Sequence, residues 1–314
     1  MLNIFENINL KYPLIQGGMA VRVSTAPLAG AVACAGGIGI IGATGMSVEE
    51  LRREIREAKR LAMNGAIGVN IMFAVRNFAD LVKTSLQEKV DLVITGAGFS
   101  RDIFSWGKEA CVPIFTIVST SRLAKIAEKY GAAAVIAEGY EAGGHLGTDL
   151  STAEIVPEIK GAVKIPVIAA GGITDSRDIE EMMKLGADGV QMATRFVLSE
   201  ECAVADSFKA HYLDACEEDV VIIKSPVGLP GRAIRNVFSE ALARGESPDF
   251  KCNNCLKVCS KEYCILEALE NSRVGNIDQG IVFSGQNVFK IKTILPVKKI
   301  FAELTGAFCG WENH

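Results

Sequence analysis

The sequence predicts an α/β fold, a (β/α)8 barrel of the TIM type with a smaller helical and loop-like lid inserted near the C-terminus. Three observations predict it. From Pro13 onwards, eight short β-branched runs alternate with longer amphipathic stretches. Segments such as VIAA, LVIT and PVIAA are apolar on both faces, which suits strands with helices outside and a packed interior within. Glycine and small polar residues crowd the ends of several runs, the end at which a barrel carries its function.

In chain order, strands are expected at Pro13–Gln16, Ile38–Ile41, Ala66–Ile71, Val90–Thr95, Val112–Val118, Ala133–Ala137, Ile165–Ala169 and Gly189–Ala193. Helical patterns lie between them at Thr25–Ala35, Ser47–Met63, Val75–Glu88, Arg101–Ala110, Ser119–Tyr130, Thr152–Lys160 and Asp175–Leu185. This alternation implies βαβ units and a parallel sheet. A doubly wound open sheet is the competing arrangement; eight strands close a barrel. Ser47 precedes Glu50 by a capping-box spacing, and Asp175 can cap the helix after Gly171-Gly172. After Phe196 the alternation stops. Residues 1–200 and 286–314 are therefore read as the barrel, closed by a returning amphipathic helix at Val297–Leu304, and 201–285 as a cysteine-containing lid over the barrel mouth.

The composition is that of a globular chain: 314 residues, 49% hydrophobic and 22% charged. A net charge of -4 and a pI near 5.6 give no basic footprint for nucleic acid. The N-terminus lacks the pattern of a signal peptide, and no run of about 18 apolar residues suggests a membrane span. The expectation is a cytoplasmic protein acting on a small molecule. With no export signal, the nine cysteines read as thiols or metal ligands rather than disulfides.

The loops at the strand ends carry the chemistry. Gly17-Gly18-Met19 comes after the first strand, Asn70 ends the third, and Glu138 opens the loop after the sixth, which runs through Gly143-Gly144 to His145. Gly171-Gly172 comes after the seventh, and Gln191-Met192-Ala193-Thr194 ends the eighth. Glycines let backbone N–H groups approach an anion, and the last two loops commonly bind phosphate in such barrels. His145 is the catalytic candidate. His314 is terminal and His211 lies in a polar stretch, whereas His145 directly succeeds a glycine pair at the active face, where an imidazole suits proton transfer. Gly37-Ile-Gly39-Ile-Ile-Gly42 fits a dinucleotide pattern but comes after a helix and contains the strand itself, so it is rejected as a nucleotide loop. Cys252, Cys255, Cys259 and Cys264 fall within thirteen residues, a spacing that can chelate zinc or an iron–sulfur cluster.

With these residues set out, the chain resembles the FMN-dependent nitronate monooxygenases, formerly 2-nitropropane dioxygenases, and the related FMN-dependent enoyl-acyl-carrier-protein reductases. The resemblance is carried by PLIQGGMA, GVNIM, AEGYEAGGHLG, IPVIAAGGI and GVQMATRF, between about Tyr12 and Phe196. It implies a barrel with FMN at its mouth: Gly18 and Met19 along the flavin ring, Asn70 bonded to it, and Glu138 and Gly143 in contact. Gly172 and the Gln191–Thr194 stretch hold the phosphate end, and His145 matches the catalytic histidine. Glu138 stands where many of the monooxygenases have Gln and is more like the reductases. Ala193 replaces the commoner Gly before Thr194, and the cysteine-rich lid is outside the common pattern. The implied activity is oxidation of small alkyl nitronates with oxygen. The alternatives are reduction of an enoyl thioester with NAD(P)H as co-substrate and, from another class, a non-catalytic flavin or metal sensor. A homodimer is left open.

Overall fold

A computed structural model of the chain describes residue 8 and residues 10–246 and 249–308. The outermost parts of the expected barrel segments, and His314, lie outside the described residues. Eight strands close a parallel barrel, β1 (Leu14–Gln16), β2 (Ile38–Gly42), β3 (Ala66–Met72), β4 (Leu92–Gly96), β5 (Ile114–Val118), β6 (Ala134–Glu138), β8 (Val167–Ala170) and β9 (Gly189–Met192). Closure is made by β9 on β1, with Leu14 opposite Val190 and Ile15 opposite Gln191. The intervening two-residue strand β7 (Gly144–His145) leaves the barrel and joins the lid. The outer helices are α1 (Ala26–Cys34), α2 (Val48–Ala62), α3 (Phe78–Gln87), α4 (Arg101–Ala110), α5 (Ser121–Tyr130), α6 (Thr152–Ala162) and α7 (Ser176–Lys184).

Strand alternation separates two cores. Ile38, Ile40, Leu92, Ile94, Phe115, Ala134 and Ile136 point into the barrel. Their neighbours Ile41, Val93, Val135 and Ala137 point out and pack under the helices. The helices start as their sequences dictate. The Ser47 hydroxyl accepts from the Glu50 N–H, but Glu50 turns its own carboxylate to Arg22 at 2.5–2.8 Å, so only half of the expected capping box forms. Asp175 caps α7 with a full box through Asp178. The glycines of the rejected nucleotide pattern are packing glycines: a Cβ on Gly39 would lie 1.8 Å from the Ala29 carbonyl of α1.

A four-residue helix α8 (Thr194–Val197) succeeds β9, then α9 (Asp206–Asp214), β10 (Val220–Lys224), β11 (Pro230–Ile234), α10 (Val237–Ala243), α11 (Ile265–Arg273) and β12 (Val282–Phe283). The segment read as helix and loop thus also contains an antiparallel sheet, because VVIIK and PGRAI pair across a short turn from Val220 opposite Ile234 to Lys224 opposite Pro230. The final helix α12 (Val297–Leu304) buries Val297, Ile300, Phe301 and Leu304, an i, i+3, i+4, i+7 stripe, against α1 and α7. Among the described residues no helix is long and apolar enough to cross a membrane.

Candidate active site

The barrel mouth holds a cavity of about 240 Å3. Its floor is the last inward layer of the barrel interior. Alternation that buries Ala66 and then Gly68 brings Asn70 to the top of β3, and the same step through Ala134 and Ile136 brings up Glu138 on β6. Gly17, Gly18 and Met19 of the first loop line it, as do Gln191, Ala193 and Thr194 of the last, together with Gly143, Gly144 and His145.

Three expected cofactor residues do not line this cavity. Met192 sits one residue out of phase with Gln191, so its side chain packs in the outer core with Val190. Gly171 and Gly172 lie outside it with their carbonyls engaged: the Thr152 hydroxyl donates to the Gly171 carbonyl at 3.0 Å and the Asn287 amide to the Gly172 carbonyl at 2.7 Å, bonds that do not involve their N–H groups. The N-terminus of α7 behind them is already occupied by the Asp175 and Asp178 carboxylates. That end of the helix is not left open for an anion.

The His145 loop is built by the lid. On β11, Gly231 pairs with His145 and Arg232 with Gly144, while the Leu146 N–H donates to the Pro230 carbonyl at 2.9 Å. The Arg232 guanidinium is buried and donates to the carbonyls of Ala142 (3.1 Å) and Tyr140 (2.7 Å). The His145 ring meets Phe283 edge-on, centroids 5.2 Å apart, and its Nε2 lies 2.7 Å from the Ser225 hydroxyl.

Sequence reasoning missed these lid contributors. Phe208 and Tyr212 of α9 and Ile265, Leu266 and Leu269 of α11 supply an apolar wall. Their helical spacing was the one available signal. Burial dominates the electrostatics. Desolvation pushes the Glu138 carboxyl up to about 7 and the His145 imidazole down to about 4. The mouth therefore holds a neutral imidazole and a carboxyl that ionises near neutral pH.

The cysteines require a correction. Cys252 is exposed, Cys264 is buried at the start of α11, and the backbone between them is committed to the β3–α3 loop through a bridge of Leu256 with Val75. Cys252, Cys255, Cys259 and Cys264 border a space of about 20 Å3, but among the described residues no three Cys, His, Asp or Glu side chains converge as metal ligands. The expected zinc or iron–sulfur site finds no support in this geometry.

The chain matches the family model described as nitronate monooxygenase over residues 3–84 and 62–306. The chain belongs to the nitronate monooxygenase family. It is 30% identical over 346 residues to a probable nitronate monooxygenase of Staphylococcus aureus, covering 95% of each chain. It is also 33% identical over 243 residues to a hydroxy-methyl-oxo-octahydroindene-carboxyl-CoA dehydrogenase of Mycobacterium tuberculosis, covering 76% of this chain and 68% of that one. Among solved structures, FabK from Thermotoga maritima superposes with a TM-score of 0.85 at 33% identity, over 98% of this chain and 96% of the other. The chain is an enzyme of this family, an oxidoreductase of the FMN-dependent type.

The residues present fit an FMN. The Gln191 Oε1 and Ser284 Oγ atoms are buried in the cavity wall with no protein partner among the described residues, and buried polar atoms of this kind require a ligand or water to satisfy them. Ribityl hydroxyls and the edge of a flavin ring offer suitable groups. Among the described residues neither lysine nor arginine lines the cavity, so a phosphate would rely on backbone N–H groups and on Thr194. The Thr194 hydroxyl accepts from the Gly285 N–H at 2.9 Å and keeps its own proton to donate.

Proposed function

We propose that the enzyme oxidises small alkyl nitronates with oxygen. The observation that carries this reading is His145: a neutral imidazole pinned at the mouth of a small, mostly apolar-walled cavity that it shares with Glu138 and the Gly17–Met19 wall. Gly17, Gly18, Met19 and Asn70 would hold the ring of FMN, Gln191 and Ser284 its polar chain, and Ala193 with Thr194 the phosphate end. Bound there, FMN supplies the electron acceptor that substrate reduces and oxygen restores. The protein's part is to orient the substrate, exclude water with α9 and α11, and move a proton. A nitro compound must lose the proton on its α-carbon to become a nitronate, and His145 is placed to accept it. An anion beside the ring raises the basicity that burial has lowered.

A second reading has its own support. Glu138, and the likeness to a protein named as a carboxyl-CoA dehydrogenase, favour a thioester substrate, with NAD(P)H as donor and an enoyl thioester as acceptor. The deciding experiment is anaerobic reduction of the bound flavin, monitored by its visible absorption. Bleaching by a small alkyl nitronate alone supports the oxidation. Bleaching by NADH or NADPH, reversed by an enoyl thioester, assigns the reductase instead. Reduction of the bound flavin by a neutral nitroalkane needs a base, so His145→Ala should retain FMN and lose about 10²-fold or more of that rate, while reduction by the preformed nitronate is less affected.

A further inference from the structure

The cavity at the barrel mouth is poor in charge. Among the described residues its titratable members are Glu138, His145 and Tyr212. The charged groups just outside are engaged elsewhere. The Arg232 guanidinium donates to the Tyr140 and Ala142 carbonyls, and the Glu141 carboxylate accepts from the Thr152 N–H at 2.8 Å and its hydroxyl at 3.0 Å. The strands flanking β6 bring no charge: Glu138 lies opposite Ala170 of β8, and the cavity residue of β5 is Ile117. Apart from Tyr212, the residues facing the cavity from α9 and α11 are uncharged. Glu138 thus lines the cavity with neither a hydrogen-bond nor an ion-pair partner among the described residues, and burial alone acts on it, raising its carboxyl to about 7.

An electron pair delivered into such a cavity meets no fixed cation, and a charge in a low-dielectric space is costly unless compensated. A flavin takes two electrons and one proton on reduction and is left with one negative charge. The candidates for a second proton are the three titratable groups. Tyr212 donates its own proton to the Phe283 carbonyl and, as a neutral phenol, has no charge to lose. A proton on His145 makes a buried cation, whereas a proton on ionised Glu138 removes a buried anion. The first choice leaves three charges in the cavity: carboxylate, imidazolium and reduced ring. The second leaves one. A negative ring beside a carboxylate also raises its proton affinity, so reduction itself drives the uptake.

We propose that Glu138 is a redox-linked proton acceptor: its carboxylate takes up one proton when the bound flavin is reduced and releases it on reoxidation. Two electrons, from substrate or from an added chemical reductant, are then matched by two protons, one on the ring and one on Glu138. The net charge of the cavity does not change. His145 is left free for the proton of the substrate. The proposal rests on FMN occupying this cavity and not on which substrate reduces it.

The test is proton uptake by FMN-loaded protein, reduced anaerobically with dithionite in weakly buffered solution containing a pH-indicating dye, from about pH 6 to about pH 10. Glu138→Gln keeps the shape of the side chain without its titration, and comparison with it cancels protons from the reductant. Within part of this range the wild type should take up about one proton per flavin more than Glu138→Gln, the excess vanishing toward the acid end, where the carboxyl is already protonated. There the wild-type midpoint potential should fall with pH about twice as steeply as that of the variant. His145→Gln should keep the second proton. The infrared difference between reduced and oxidised wild type, which needs no variant, should show a new carboxylic-acid C=O band. No excess at any pH, no new band, or a second proton lost in His145→Gln but kept in Glu138→Gln overturns the proposal. Chemical reduction needs no substrate, so a wrong nitronate assignment leaves each of these readouts in place.

Discussion

Arg232 and Tyr140 are joined twice: the Arg232 guanidinium donates to the Tyr140 carbonyl at 2.7 Å and lies over the Tyr140 ring, 4.4 Å from its centroid. With the added bond to the Ala142 carbonyl, one lid side chain fixes both ends of the turn that delivers His145. Arg232→Ala should lower stability by about 2–3 kcal/mol, the range for charge-assisted hydrogen bonds left unmade in a buried site. It should also slow flavin reduction, because the His145 strand loses its anchor. Arg232→Lys should not rescue it, since an ammonium cannot reproduce the planar fork or the stacking. Urea denaturation and stopped-flow absorption check the two effects; a wild-type rate in Arg232→Ala would remove the clamp from the catalytic argument.

Glu138 and His145 titrate in opposite senses. His145 is lowered from 6.5 to about 4. Between those values the unfolded chain binds more protons, so this contribution to stability is full above 6.5 and lost as pH falls toward 4. Glu138 is raised from 4.5 to about 7. There the folded chain binds more protons, so its contribution is present at low pH and lost as pH rises from 4.5 to 7. Each window is worth roughly 3 kcal/mol. In the wild type the two nearly cancel. Glu138→Gln should gain stability as pH rises from about 4 to 6.5, and His145→Gln should lose it as pH rises from 4.5 to about 7. Urea midpoints at about pH 4.5 and pH 7 give the slopes, and parallel slopes in the two variants would contradict the opposed titrations.

Legibility in the sequence divides along one physical line, between local and long-range signals. Barrel strands and their helices announce themselves through apolar runs and caps, which are local, and α12 through its apolar stripe. The mouth residues were legible because they lie directly at strand ends. The strand period carried through β9 puts Val190 and Met192 on the outward face while Gln191 turns in, so the Met192 side chain is away from the cavity. Nothing in the segment of Gly171 and Gly172 reveals that Asn287, far along the chain, takes the Gly172 carbonyl. Ser225, Arg232 and Phe283 were invisible for the same reason. The lid strands come to His145 through antiparallel pairing of β11 with β7 and β12, and such pairing leaves no spacing signature in the chain. The cysteine spacing suggested a metal site, but among the described residues no three ligand side chains come together as one.

Gly18 is a steric requirement of the cavity wall. A Cβ there would lie 2.3 Å from the Asn70 Cβ and 3.0 Å from an Ile40 methyl, and Asn70 would have to leave the position from which it faces the cavity. Gly18→Ala should therefore fold but retain FMN poorly, seen as a fall in the visible-to-ultraviolet absorbance ratio after gel filtration. Retention at the wild-type ratio would mean that Asn70 is not needed to hold the ring.

On the proposed function, the apolar wall from α9 and α11 would limit the size of substrate that fits the cavity. Leu269 faces this space with Phe208 and Ile265, and it is separate from the His145 contacts, so trimming it alters volume without touching the proton-accepting group. Leu269→Ala should improve kcat/KM for longer nitronates relative to shorter ones. Each extra methylene accommodated is worth about 1 kcal/mol, roughly fivefold. Leu269→Phe should reverse the order. The comparison is internal to each variant, using a homologous series of nitronates, so a general loss of activity cancels. If the ratio of long to short substrates is the same in both variants and the wild type, the chain of the substrate does not lie against α11.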